Sequence, residues 1–176
     1  MVIAIVIIVV LVLWYVSTMN GLRQQVVKIE ENESGIDVAL TKRYDTLKKM
    51  VDVTRAYAKH EKETIMETIS LRQGMSMKER NEAITKLNEV EQQIKFTAEA
   101  YPELRSNENY RQLQVTIADV EEHLQAARRA YNAAVSSLNQ RIVTFPTSFV
   151  AKNCGITQRD FFEAESIKRE DIKIDL

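Results

Sequence analysis

The residues best suited to chemistry are the two histidines, of which His60 comes first. His60-Glu61 begins like the zinc-protease signature, in which a second histidine four residues later completes a pair of metal ligands on one helical face. The residue at that position is Thr64, so the second ligand is absent. We therefore interpret His60 as part of a polar helix face and predict no metal site there.

The other candidate groups lack suitable partners in the sequence. His123 follows Glu121 and Glu122, but a helix brings together residues three or four apart, so these carboxylates do not form a metal cluster with it. Cys154 is the only cysteine, which excludes an intrachain disulfide and a cysteine zinc cluster. A catalytic thiol needs a histidine base and a lowered pKa. We interpret Cys154 as a structural residue and His123 as solvated.

Composition and charge narrow the classes of function further. The chain has 24 Lys and Arg against 25 Asp and Glu, a formal net charge of -1, so no overall excess of charge directs it to nucleic acid or to anionic lipid. Its four glycines are isolated, which excludes a glycine-rich phosphate loop, and the Glu-x-x-His motif of di-iron bundles does not occur. We predict a protein that is not an enzyme and binds no cofactor, metal or nucleic acid.

The element that comes first in the chain is strongly apolar. From Val2 to Val16 there is no charged or amide side chain. A helix over residues 1–19 is about 28 Å long, close to the ~30 Å hydrocarbon core of a bilayer. Aromatic residues near one end of such a helix are typical of the headgroup level. We predict a transmembrane anchor over residues 1–20, with the bilayer as a partner and lipid contacts from Val2, Ile5, Val9, Val12, Trp14 and Tyr15.

The anchor is predicted to remain on the protein. Signal peptides begin with Lys or Arg and end in a small-residue cleavage site, whereas this chain begins Met-Val-Ile and has no Ala-x-Ala pattern near residues 16–19. Arg23 and Lys28 follow the span and no basic residue precedes it. The positive-inside rule therefore predicts that the remainder of the chain is cytoplasmic.

Beyond the anchor, apolar residues recur at steps of three, four and seven, which indicates amphipathic helices. Glu33 and Gly35 interrupt the first apolar stripe, so either the helix bends there or one helix ends and another begins. Gly74 with Ser76 marks the first firm break, and Tyr101-Pro102 marks the second. The predicted helices cover residues 21–73, 77–100 and 107–144.

These helices predict an all-α fold. Short connections make successive helices antiparallel neighbours, so residues 21–146 are predicted to form an up-and-down bundle. Residues 147–176 are predicted to be an extended tail packed on the bundle, because Ile172, Ile174 and Leu176 alternate with charged residues and no second strand is predicted. Phe145, Phe149 and Val150 are predicted to form a small apolar cluster where this tail begins.

Several separate blocks of the chain resemble the LemA family. The first block contains Ile36-Asp37-Val38, Leu40, Arg43-Tyr44-Asp45 and Tyr57-Ala58-Lys59-His60-Glu61. The middle block contains Tyr101-Pro102-Glu103-Leu104, Asn107-Glu108-Asn109-Tyr110 and Leu113-Gln114. The last blocks contain Ala127-Arg128, Tyr131-Asn132-Ala133-Ala134-Val135, Asn139, Ile142, Phe145-Pro146 and Phe161-Phe162-Glu163-Ala164. The resemblance covers nearly the whole chain, and its blocks fall in the family's order.

The resemblance implies a helical bundle behind one N-terminal membrane helix, with no agreed biochemical activity. It also implies a link to membranes, because some relatives are associated with building intracellular membrane compartments. This chain departs from the family at Glu33, where a Trp is usual, and at Lys48, where a Pro is usual. The first departure places a carboxylate on an apolar stripe, and the second predicts a straighter first helix.

A basic run on the first helix invites two interpretations. Arg43, Lys48, Lys49 and Arg55 could contact lipid headgroups or the acidic groups of a partner, or they could form a solvated face. Arg43 lies about 36 Å along a straight helix from Met19, too far to reach the anchoring membrane. Any lipid contact there would involve a second membrane, and any protein contact a neighbouring subunit.

We predict a membrane-anchored scaffold that forms a homo-oligomer. Long helices with many apolar positions and parallel anchoring in one membrane favour lateral association. The predicted contact lies next to the membrane, at Leu22, Val26, Ile29 and Glu33. The alternative is a monomeric adaptor whose bundle docks another protein, such as a membrane protease or a signalling protein.

Overall fold

The computed structural model describes residues 1–57, 66, 69–72 and 74–162, and throughout these residues its regular structure is helical. The predicted all-α fold class is confirmed. The helices are α1 (Val2–Arg55), α2 (Met77–Ala100), α3 (Pro102–Ser106), α4 (Glu108–Val143) and α5 (Thr147–Asn153).

Helix α1 runs without a break from the apolar span into the folded part of the chain. It continues through Glu33 and Gly35, where the sequence indicated a bend or a boundary. The predicted end near residue 73 is wrong, because α1 ends at Arg55 and residues 69–72 are not helical. Ala58 and Ile65, which the sequence placed on the same helix, lie outside the described residues.

Met1–Gly35 and Ala127–Phe161 form one compact unit of the chain. In this unit α1 and α4 are antiparallel, since the Gln25 side-chain amide donates to the Ser137 hydroxyl at 3.1 Å and the Asn32 amide donates to the Ala130 carbonyl at 3.2 Å. From the first hydrogen bond to the second, the residue number rises by seven on α1 and falls by seven on α4. The buried residues of this unit include Leu22, Ile29, Tyr131, Val135, Leu138, Val150 and Ala151.

The tail of this unit begins with a helix that the sequence did not predict. Helix α5 directs Val150 into the core, while Phe145 is 83% exposed and Phe149 is 61% exposed. The predicted cluster of these three residues is therefore wrong, because a helical turn places Val150 and Phe149 on different sides. Ile172, Ile174 and Leu176 lie outside the described residues.

After α5, the chain returns along α4 and is held by side chains of that helix. The Asn139 side chain accepts from the Arg159 N–H and donates to the Arg159 carbonyl, both at 2.9 Å. The Tyr131 hydroxyl donates to the Asp160 carbonyl at 3.0 Å. Residues 159 and 160 therefore pack on α4.

The second compact unit contains Ile36–Ala126 and Phe162. Its core is built from apolar stripes of three helices. The buried apolar residues include Ile36, Leu40, Leu47 and Met50 of α1, Ile84, Leu87, Val90 and Ile94 of α2, and Tyr110, Ile117, Val120 and Leu124 of α4.

Within this unit, α1 and α2 run in the same direction. Asp37 of α1 pairs with Arg80 of α2, and Arg43, further along α1, pairs with Glu91, further along α2. The sequence predicted antiparallel neighbours here because it extended α1 to residue 73. Met75, just before α2, lies beside Asp37, so α2 begins near the level of Asp37 on α1.

Two predicted helix starts have side-chain caps. The Ser76 hydroxyl accepts from the Glu79 N–H at 3.2 Å, and the Glu79 carboxylate accepts from the Ser76 N–H at 2.7 Å, which is a complete capping box. The Asn107 side chain accepts from the Tyr110 N–H at 3.1 Å where α4 begins. Hydrogen bonds from the backbone and hydroxyl of Ser76, together with Arg72, hold the pKa of Glu79 below its usual value.

Replacing Asn139 by Ala tests how the tail is held. We expect Asn139→Ala to lower the free energy of unfolding by about 1 kcal/mol, because it removes both hydrogen bonds to Arg159. Hydrogen exchange of the Arg159 amide measures the change directly and is expected to accelerate. Gln140→Ala, at the neighbouring exposed position, is the control. Equal exchange in the two variants would contradict this role of Asn139.

Candidate functional site

The first quarter of α1 presents an apolar surface on every side. Each large apolar residue from Val2 to Leu13 exposes at least half of its surface. Contiguous apolar surface of this extent is unfavourable in water and favourable in hydrocarbon. This helix is long and apolar enough to cross a membrane.

The change from exposed apolar helix to packed helix occurs between Trp14 and Leu22. Trp14 is still exposed and Tyr15 is half-buried, while Leu22 is completely buried. Ser17 and Thr18 are the first polar residues after the apolar stretch. The aromatic pair therefore lies at the boundary between a surface suited to lipid and a surface suited to protein.

Two of the four predicted self-association residues are buried within the single chain. Leu22 and Ile29 are buried in the core of their own unit, and Val26 and Glu33 are half-buried. Leu22 and Ile29 are therefore not available to a second copy, and their assignment to such a contact is corrected. The stripe that the sequence placed between protomers is the stripe by which α1 packs in its own unit.

Arg43 was predicted to face headgroups or a partner, and the structure buries it instead. The side chain is within a network of α2 and α4, with only 3% of the residue exposed. Its Nη2 donates to Asn88 Oδ1 at 2.7 Å and to Glu91 Oε2 at 2.8 Å. Its Nη1 lies 3.0 Å from Glu121 Oε2, a charge contact without aligned hydrogen-bond geometry. An internal ion-pair network therefore replaces the predicted surface contact.

Glu91 is the carboxylate at the centre of this network. Its other oxygen lies 2.7 Å from the Lys95 Nζ. Burial raises the pKa of Glu91, but hydrogen bonds from Lys95 and Arg43 outweigh burial and hold the pKa below its usual value of 4.5. Glu91 is therefore a charged, paired group rather than a poised acid or base.

A second buried arginine was not singled out from the sequence. Arg80 is 1% exposed, and its guanidinium donates to both carboxylate oxygens of Asp37, at 2.6 and 2.7 Å. It also donates to the Met75 carbonyl. The sequence feature that could have indicated the burial of Arg80 is its position on the apolar stripe of α2, four residues before Ile84. Arg43 has the same signal, three residues after Leu40.

The other members of the predicted basic run are on the surface. Lys48, Lys49 and Arg55 are exposed, and Arg55 lies 3.5 Å from the Asp52 carboxylate. The structure separates them from Arg43, which belongs to the core. Contact of Lys48, Lys49 and Arg55 with lipid or with a partner stays a prediction.

The groups considered for catalysis remain apart where the structure places them. No cluster of three His, Cys, Asp or Glu side chains suited to a metal ion occurs among the described residues. His123 is exposed on α4, and Cys154 is a half-buried thiol after α5. His60 lies outside the described residues. That the protein is not an enzyme stays a prediction.

The fold and the sequence blocks identify the class of protein. The model of the LemA family matches residues 32–176, which is most of the chain. The protein belongs to the LemA family, and the predicted family is confirmed.

The chain is 28% identical to each of three relatives over the parts that match. The chain is similar to Protein LemA of Metamycoplasma hominis, with 28% identity over 163 residues that cover 90% of this chain and 74% of the relative. It is also similar to the magnetosome proteins MamQ 1 and MamQ 2 of Paramagnetospirillum magneticum. Each of these is 28% identical over 65 residues, which cover 37% of this chain and 24% of the relative.

Replacing Leu22 by Ala tests whether this stripe serves the protomer core. We expect Leu22→Ala to lower the free energy of unfolding by about 2–5 kcal/mol, because it leaves a cavity in a completely buried position. Val115→Ala, at an exposed position on α4, is the control and is expected to change it by less than about 0.5 kcal/mol. Urea unfolding in detergent measures both. Similar values for the two variants would contradict the assignment of Leu22 to the core.

The lowered pKa of Glu91 predicts a loss of stability in acid. The charged form is favoured in the folded state, so its contribution is complete above the unfolded pKa of about 4.5 and is lost as pH falls through the folded value. We expect Glu91→Gln to flatten the dependence of the free energy of unfolding on pH below about 4.5. The exposed Glu89→Gln is the control. An identical pH dependence in all three proteins would contradict the prediction.

Proposed function

We propose that the protein is a membrane-anchored helical scaffold that associates with copies of itself. The observation that carries this proposal is the continuity of α1, in which a fully apolar stretch and a core helix of the folded unit are one element. Backbone hydrogen bonding along such a helix transmits the position of the span directly to the packed residues after it. The anchor would therefore hold the folded unit that contains Leu22 at a fixed place next to the bilayer.

Self-association is supported by the geometry of anchoring. Protomers that share one bilayer are confined to two dimensions with a common orientation, which raises their effective concentration. The predicted contact residues require revision, because Leu22 and Ile29 are used within the protomer. The outward side of α1 remains, where Val27 is 62% exposed. We therefore place the contact on this outward side.

We propose that this role contributes to organising or remodelling the membrane. Two relatives are named as magnetosome proteins, and the matched part covers about a quarter of their length. For this chain we propose a binding and organising role at a membrane, without catalysis.

The second candidate is a monomeric adaptor that docks another protein. The exposed basic residues Lys48, Lys49 and Arg55 favour it, since they offer a charged surface that the protomer core does not use. A docked partner would carry acidic groups toward this surface. The two candidates differ in the mass of the purified protein.

Light scattering of the detergent-extracted protein distinguishes the two candidates. We expect the full-length chain to have a discrete protein mass of several protomers, because lateral contacts persist once the anchors share a micelle. A chain lacking residues 1–20 is the matched comparison, and we expect it to have a lower mass. Protein mass is separated from detergent by combining scattering with refractive index and absorbance.

The opposite results would redirect the proposal. A monomer at both lengths would exclude the self-associating scaffold and favour the adaptor. An oligomer of equal mass at both lengths would place the contact in the folded units and remove the anchor from the assembly.

A further inference from the structure

The end of α4 and the start of α5 carry an exposed apolar patch. Val143 is 64% exposed, Phe145 is 83% exposed and Phe149 is 61% exposed. We name these three residues the interfacial patch. Two phenylalanines this exposed lose favourable burial unless another surface covers them.

The contacts between α1 and α4 fix the level of this patch along the anchor. Gln25 pairs with Ser137, and one turn nearer the span Gly21 lies against Arg141. A Cβ atom at Gly21 would lie 3.3 Å from the Arg141 Nη2, so the guanidinium occupies the space that a side chain would fill. From Gln25 to Gly21 the residue number falls by four on α1, and from Ser137 to Arg141 it rises by four on α4, so the antiparallel register continues toward the span.

One further turn places the interfacial patch at the end of the apolar span. By the same antiparallel register, Val143 at the end of α4 is level with Met19, and Phe145 follows Val143 by two residues. Ser17 is the first polar residue after the apolar stretch. Phe149 follows Phe145 by four residues, after the turn into α5. The patch therefore belongs at the level of lipid headgroups when the span is in a bilayer.

The charges around the patch are of one sign. Residues 1–29 and 130–158 contain no Asp or Glu. The basic residues in these ranges are Arg23, Lys28, Arg141 and Lys152. The Arg141 guanidinium lies against Gly21, which is one helical turn from Ser17. Basic side chains this close to a bilayer are attracted to anionic lipids.

We propose that the interfacial patch is a second membrane contact, inserted at the headgroup level of the leaflet in which the apolar span ends. Phe145 and Phe149 enter the boundary between headgroups and acyl chains, and the basic residues contact anionic headgroups. This inference rests on the proposed anchoring of the chain. It adds that the folded unit nearest the span lies on the membrane rather than being tethered away from it.

Tryptophan fluorescence in vesicles tests the contact in the full-length chain. The vesicles contain equimolar phosphatidylcholine and phosphatidylglycerol, with the phosphatidylcholine brominated near the top of its acyl chains. In a Trp14→Phe background, Phe145→Trp places the only tryptophan in the patch, and Ser34→Trp places it at an exposed position on α1 in the same unit. We expect brominated lipid to quench Phe145→Trp at least about twofold and to leave Ser34→Trp unchanged.

The remaining outcomes separate this inference from the proposed anchoring. The unsubstituted protein reports on the anchor through Trp14, which brominated lipid is expected to quench. Quenching of Trp14 without quenching of Phe145→Trp would overturn the second contact and leave the anchor in place. Within that result, protection of Phe145→Trp from aqueous acrylamide would mean that a second copy covers the patch. Loss of quenching at Trp14 as well would overturn both proposals.

Discussion

The structure depends on one continuous helix that meets two different environments. Helix α1 is apolar on every side over its first turns and amphipathic after Trp14. A helix satisfies its own backbone hydrogen bonds, so it can pass from hydrocarbon into a protein core without exposing unpaired groups. The packing after the boundary is set by the stripe that begins with the completely buried Leu22.

Much of the helical content was predictable from the sequence because it depends on local patterns. The bounds of α2 follow from the Ser76 capping box and from Pro102, both of which act within a few residues of the chain. The direction of α2 was not predictable, because it depends on where α1 ends, and the apolar pattern continues beyond Arg55 although the helix does not. The sequence did not predict α5 because Thr147–Asn153 is too short to show a helical period.

The candidate sites were less predictable, for a physical reason that Arg43 makes clear. The sequence shows a cation among other cations, which is the pattern of a solvated surface. Its position between Leu40 and Leu47 on the apolar stripe indicates the opposite, but a buried arginine requires carboxylates from other helices. Glu91 and Glu121 are far away in sequence, so only the folded arrangement shows that they pair with it.

The burial of Arg43 has a consequence for how the helices of its unit align. Leucine and isoleucine stripes are nearly repetitive, so sliding one helix past another by a heptad would preserve most apolar contacts. The same slide would carry the guanidinium away from Asn88 and Glu91 and leave an uncompensated charge in the interior, at a cost of about 3–5 kcal/mol. The pair of Arg80 with Asp37 imposes the same condition at a second point. The two buried arginines therefore favour one alignment of the helices over others that hydrophobic packing alone would make almost equal in free energy.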